Sequence, residues 1–124
     1  MEVLIDSHAL FWYFEEPKKL SIRTVKLLDS ASLIVIPTIV LLELEAILAK
    51  NSLREKFKKL LAELIENRTF LIHPLNLEVI KEYTGFSENL EMHDRVIVTT
   101  AKLLNLPIIS KDEEVSKVYP RVIW

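Results

Sequence analysis

Val3-Leu4-Ile5-Asp6-Ser7-His8-Ala9-Leu10 is the stretch from which the rest of the chain is read. Val3 to Ile5 is a short, continuously apolar run, the pattern of a strand buried on both faces. It stops at Asp6, and the residues that follow, Ser7 to about Glu16, suit a helix. A buried strand that passes through an acid into a helix is the first half of a β-α-β crossover.

The alternation continues along the chain. Pro17 and Ser21 punctuate a second helical segment in which Ile22, Val25 and Leu28 recur at helical spacing until about Asp29. Leu33 to Ile36 is the second strand. Pro37 and Thr38 open a helix running to about Lys50, apolar almost all round and therefore expected to be buried. Ser52 with Glu55 matches a capping box, and Leu53, Phe57, Leu60, Leu61 and Leu64 form one stripe opposite Arg54, Lys58 and Glu66. Phe70 to His73 is the third strand. Asn76 is placed to cap a short helix, and Gly85 to end it in the left-handed conformation. A helix from about Glu91 to Leu104, a strand Ile108 to Ile109, a turn or short helix from Asp112 and a strand Arg121 to Ile123 complete the order. Strands separated by helices imply crossover connections, hence an α/β sandwich with a mainly parallel sheet of about five strands.

Composition narrows the function. The 124 residues, half of them apolar, suffice for one domain with one core spanning 1–124. Sixteen Lys and Arg stand against 18 Asp and Glu, so the basic footprint of a strong duplex-DNA binder is missing. The absence of Cys removes disulfides, thiolate metal sites and thiol nucleophiles, and fits a reducing cytoplasm. The single glycine excludes the glycine-rich phosphate loop and the dinucleotide fingerprint. Met1 to Phe14 carries Glu2, Asp6 and His8 and lacks a basic start, and Leu33 to Leu42 is short and broken by Pro37. Neither reads as a signal or a membrane span, so a soluble cytoplasmic protein is expected.

Four acids sit in apolar surroundings: Asp6, Glu43, Asp94 and Asp112. Asp6 follows the first strand and Asp112 the fourth, which puts both on the carboxyl rim of an open sheet, where functional groups gather. Asp94 shares a helical stripe with Ile97, Val98 and Ala101, one turn nearer the helix start, and so overhangs that rim. Glu43 and Glu45 point to nearly opposite sides of their helix, and periodicity does not choose between them. The plainer alternative is that Asp6, Asp94 and Asp112 merely cap helices and that Glu43 pairs with Lys50. Several carboxylates on one rim favour a shared task. Two at about 4 Å repel by roughly 4 kcal/mol at an effective dielectric of 20, so protons or a cation must neutralise them. An all-oxygen set suits Mg²⁺ or Mn²⁺, and with it phosphodiester chemistry.

With these residues in order, the chain resembles PIN-domain proteins. The segments that carry the likeness are Leu4-Ile5-Asp6-Ser7-His8-Ala9-Leu10, Glu43 after the second strand, His93-Asp94-Arg95-Val96-Ile97-Val98-Thr99-Thr100-Ala101, Ile109-Ser110-Lys111-Asp112, and the terminal Val122-Ile123-Trp124. The likeness spans essentially the whole chain and is closest to the VapC-type toxins of toxin–antitoxin pairs. It implies a three-layer α/β/α fold and Mg²⁺- or Mn²⁺-dependent endoribonuclease activity on single-stranded RNA. Carried over by position, Asp6, Glu43, Asp94 and Asp112 form an acidic quartet for one or two metal ions, with Ser7 and Ser110 as small hydroxylic neighbours. A homodimer and a cognate antitoxin partner are implied as well. Leu42 departs from the Trp common before the helix Glu, and Glu91-Met92-His93 from an Asp-Pro step, which leaves Glu91 as an extra acidic candidate.

Other residues receive plainer expectations. His8 and His93 flank the site but are expected to be structural. Arg95 and Lys111 stand ready to meet phosphates or to pair with neighbouring acids. Arg54, Lys56, Lys58 and Lys59 read as a solvated face. Among Phe11, Trp12, Tyr13 and Phe14, able in principle to stack bases, packing in the core or a dimer interface is the expectation. Two other functions compete: a catalytically inactive PIN-like module that binds RNA or protein, and an acyl- or phosphoryl-transfer protein with Asp6 as nucleophile. The latter lacks the second acid two residues on, where His8 stands.

Overall fold

A computed structural model describes residues 1–124. In chain order it contains β1 (Glu2–Ile5), α1 (Ser7–Glu15), α2 (Ile22–Ser30), β2 (Leu33–Pro37), α3 (Thr38–Lys50), α4 (Phe57–Glu66), β3 (Phe70–His73), α5 (Leu77–Gly85), α6 (Met92–Leu104), β4 (Ile108–Ile109), α7 (Glu113–Val118) and β5 (Val122–Ile123). Single 3₁₀ turns at Pro17–Lys19 and Arg54–Lys56 precede α2 and α4. The five strands pair in the order β3-β2-β1-β4-β5, every ladder parallel. Leu4 faces Val35 on one side and Ile108 on the other.

Burial explains this order. Val3, Leu4 and Ile5 are buried without a break, as are Ile34, Val35, Ile36, Ile108 and Ile109. Because successive side chains of a strand point to opposite faces, unbroken burial requires cover on both faces, which makes an α/β/α sandwich. β1 lies at the centre, and the less buried strands β3 and β5 lie at the edges. Leu71 of β3, at one edge, is 46% exposed. A 25-residue cluster runs through the core, joining β1, β2 and β4 to Leu10 and Phe11 of α1, Leu44 and Leu48 of α3, Leu64 of α4, and Ile97 and Val98 of α6.

The structure departs from the sequence reading where helix ends compete for the same residues. Ser52 does not open a capping box. Its φ of 58° is left-handed, its N–H donates to Ala49 O, and Leu53 N–H donates back to Leu48 O at 2.8 Å. This is a Schellman closure of α3 with Ser52 in the usual glycine place, so α4 begins only at Phe57 and without a side-chain cap. Asn105, with φ 57°, closes α6 in the same way through Leu106 N–H to Ala101 O. Gly85, by contrast, is the last helical residue of α5 and has no positive φ. Phe86 ends that helix in extended conformation, while Asn76 caps its start as expected, accepting from Val79 N–H at 3.1 Å.

Helix α3 is also less enclosed than its composition suggested. Val40, Leu41, Leu44 and Leu48 are buried, but Leu42 is 68% exposed. Ile22, at the first position of α2, likewise faces solvent, while Leu28 on the same stripe is buried. No helix is long and apolar enough to cross a membrane.

Candidate functional site

In the order β3-β2-β1-β4-β5 the chain leaves β1 toward β2 on one side and reaches β4 on the other, so the switch point lies between the carboxyl ends of β1 and β4. Asp6 and Asp112 flank it. Asp6 continues β1 through its N–H to Ile109 O at 3.2 Å, and its Oδ1 caps α1 by accepting from Ala9 N–H at 2.9 Å. Asp112 Oδ1 caps α7, accepting from Glu114 N–H at 2.8 Å, and its own N–H donates to Ser110 Oγ at 3.0 Å. The capping interpretation is therefore correct for these two acids, and it leaves one oxygen of each free of that duty. Asp94 is no cap. It sits in the first turn of α6 behind the true cap, Glu91.

Asp6, Glu43, Asp94 and Asp112 all line one open cavity of about 550 Å³ at this switch point. Tertiary placement thus resolves the ambiguity on α3: Glu43 faces the cavity, whereas Glu45 pairs with Arg54 Nε at 3.0 Å. Glu43 makes no ion pair with Lys50, and its buried Oε1 has no hydrogen-bond partner.

The acids destabilise one another's charge. Burial pushes the Asp6 carboxyl up to about 6, with Asp112 and Asp94 adding repulsion and the Ser110 hydroxyl and Ala9 N–H opposing. Asp94 is likewise raised to about 6, by burial first and then by Asp112 and Glu91. Burial also raises Glu43, reinforced by Asp94 and offset in part by His93 and Ser7. Charges so placed are held at a cost that a bound cation removes. The four carboxylates nevertheless do not form a ready-made cage, since no three acidic or His side chains are gathered as a metal-holding group.

Of three neighbouring residues that the sequence offered to the site, two are taken up by helix ends and one reaches the cavity. Glu91 borders the cavity, but its Oε2 accepts from His93 N–H at 2.9 Å and its Oε1 meets His93 Nδ1 at 2.8 Å. Partial desolvation opposes the effect, yet these bonds hold Glu91 below the usual carboxylate range, so it serves as a cap rather than a free ligand. Arg95 turns away from the acids, because one residue along a helix rotates the side chain by about 100°. Its Nη2 donates to the carbonyls of Tyr83 and Phe86, and the guanidinium lies 4.3 Å from the Tyr83 ring centroid. Lys111 does line the cavity.

Two residues of α1 belong to the site although they were expected to be structural or packed away. His8 and Trp12 line the cavity, and Phe11 alone of the aromatic run is core, at 3% exposure. The available signal was their i, i+4 spacing on the helix that Asp6 starts, which places both on one face.

Comparison with known proteins bears on the fold and the family. No protein of curated function matches the chain. Among solved structures, it is similar to a chain of a toxin–antitoxin complex from Klebsiella pneumoniae at 20% identity and a TM-score of 0.71, covering 98% of this chain and 96% of that one. VapBC2 from Rickettsia felis, bound to a promoter DNA fragment, is similar at 17% identity and 0.74, covering 99% and 96%. FitAcB from Neisseria gonorrhoeae is similar at 24% identity and 0.66, covering 100% and 97%. At such identities these likenesses establish the shared fold. The sequence itself matches the family described as PIN domain over residues 3–120, and the chain belongs to the PIN-domain family.

Proposed function

We propose that this protein is a Mg²⁺- or Mn²⁺-dependent endoribonuclease acting on single-stranded RNA, and that it is the toxin of a toxin–antitoxin pair. The observation that carries the chemistry is the opening of Asp6, Glu43, Asp94 and Asp112 onto one cavity at the switch point of the sheet. The toxin role and a cognate antitoxin rest on family membership together with the toxin–antitoxin assemblies among the structures it resembles, and a homodimer on the family resemblance alone.

The donor set fits a hard divalent ion. It is all oxygen, and it includes a buried Glu43 Oε1 that lacks any partner. Asp6, Glu43, Asp94 and Asp112 would hold the ion. Such ions keep several waters, so carboxylates that do not close into a cage are able to act through water. When bound, the ion supplies an acidified water and positive charge against the phosphate.

The chain's own groups do the rest. The Ser110 hydroxyl oxygen anchors Asp112 N–H, and the Ser110 hydroxyl stabilises the charged form of Asp6, which together hold two carboxylates at the ends of adjacent strands. Lys111 is the one basic side chain lining the cavity and is placed to meet a phosphate oxygen. Caps on α1 and α7 fix the directions of Asp6 and Asp112, so orientation precedes substrate binding.

The test is cleavage of single-stranded RNA by the wild type with Mg²⁺, Mn²⁺ or EDTA, beside thermal unfolding of wild type and Asp94→Asn across a Mn²⁺ titration. Cleavage that needs the metal, and stabilisation by Mn²⁺ in the wild type only, is the expected result. A ligand at one hundred times its Kd stabilises by about 2.7 kcal/mol. The absence of a ready-made cage favours a second reading, a PIN-like module that binds RNA or protein without cutting. It predicts binding but no cleavage with either metal.

A further inference from the structure

The cavity is lined by six acids, Glu91 and Glu113 joining the four already named, against a single lysine. A polyanion gains no net attraction from such a wall, and metal neutralisation acts only at the reacting phosphate. Within this cavity, attraction beyond the metal and Lys111 must therefore come from a part of the strand that is not charged.

The α1 wall supplies a surface for it. His8 is exposed, and its ring lies 5.7 Å from that of Trp12, tilted by 54°. Trp124 meets the indole edge-on at 5.8 Å, and Lys19 Nζ stands 6.0 Å from the indole centroid while paired with Glu16 at 2.7 Å. Trp12 is thus supported by rings on two sides and remains part-exposed at the cavity. Six residues of helix separate it from Asp6, an axial rise of about 9 Å. The ring and the acids line the same cavity.

On the nuclease reading above, on which this step rests, we infer that Trp12 and His8 form a stacking subsite for an unpaired nucleobase next to the scissile phosphate. Stacking on aromatic rings is tolerant of base identity, because every base has a π-face, and it requires a strand whose bases are free of pairing. The subsite therefore selects single-stranded over duplex substrate without reading sequence.

The test is binding of a short single-stranded RNA with 2-aminopurine at one position, and of the same strand with that position abasic, in Ca²⁺ to suppress cleavage. Trp12→Ala weakens binding of the intact strand by about tenfold and abolishes fluorescence quenching, while the abasic strand binds wild type and variant alike. Trp12→Phe, which keeps an aromatic face, stays within about twofold of wild type. His8→Ala, at an exposed position, gives a smaller loss confined to the intact strand and serves should Trp12→Ala fail to fold. Equal affinity of Trp12→Ala and wild type, or equal losses on intact and abasic strands, overturns the subsite. Metal-dependent cleavage by the wild type is measured alongside. If the wild type cleaves and the base effect is missing, the subsite alone fails; if it neither cleaves nor binds RNA, the nuclease reading fails with it.

Discussion

Replacing Asp6 by Asn should make the metal-free protein more stable, and by an amount that depends on pH. In the folded chain the Asp6 carboxyl is raised from 3.8 to about 6, chiefly by burial. Between those two values the folded state holds a proton that the unfolded state has released, so stability falls as pH rises through this window and the full loss is present above about 6. The distance from 3.8 to about 6, at about 1.4 kcal/mol per pH unit, amounts to about 3 kcal/mol. Asn carries no charge but keeps the acceptor that meets Ala9 N–H, so the α1 cap survives. Asp6→Asn should therefore gain up to about 3 kcal/mol at pH 8 and almost nothing near pH 4. Urea unfolding of both proteins in EDTA at pH 4, 6 and 8 measures the difference. A gain that is absent at pH 8, or equal at pH 4 and pH 8, refutes the electrostatic account of the site. Asp94 is raised for similar reasons but is more open to solvent, and its contribution is correspondingly screened.

Other outcomes follow from the packing and the helix ends. Ser52→Gly should stabilise by about 1 kcal/mol, because Ser52 holds a left-handed conformation that a Cβ disfavours, and chemical denaturation reads this directly. Arg95→Ala should cost about 2–3 kcal/mol through loss of the bonds to Tyr83 and Phe86 and of the ring contact, with KM for RNA unchanged; a raised KM would place Arg95 on the substrate instead. Leu4→Ala, in the middle of the central strand and fully buried, should cost about 2–5 kcal/mol in the same assay. Glu43→Gln should abolish cleavage without lowering metal-free stability at pH 8, since a raised carboxylate with one unpartnered buried oxygen is removed.

By itself the sequence determined the order of strands and helices, the parallel sheet and three of the four acids at its rim. Each depends on short-range pattern: unbroken apolar runs such as Val3–Ile5, helical stripes such as that of Leu60 and Leu64, and acids just past a strand or one turn ahead of a buried stripe. Glu43 was different, since the apolar surroundings of α3 gave periodicity nothing to choose by; the family likeness pointed to Glu43, and the packing of that helix turns Glu43 inward and Glu45 to Arg54. Tertiary structure likewise decided between equally legible local signals. Ser52 could cap the helix after it or close the helix before it, and the return of Leu53 to Leu48 settled on the latter. Arg95 and Lys111 each follow an acid in sequence, yet one turns to α5 and the other to the cavity, because direction depends on which neighbour lies beyond the helix or loop. The same holds for α1, where adjacent aromatic residues part company, Phe11 into the core and Trp12 to the mouth of the site. Residue type and spacing define what a side chain is able to do, but which of those capacities is used is set by contacts between segments far apart in the chain.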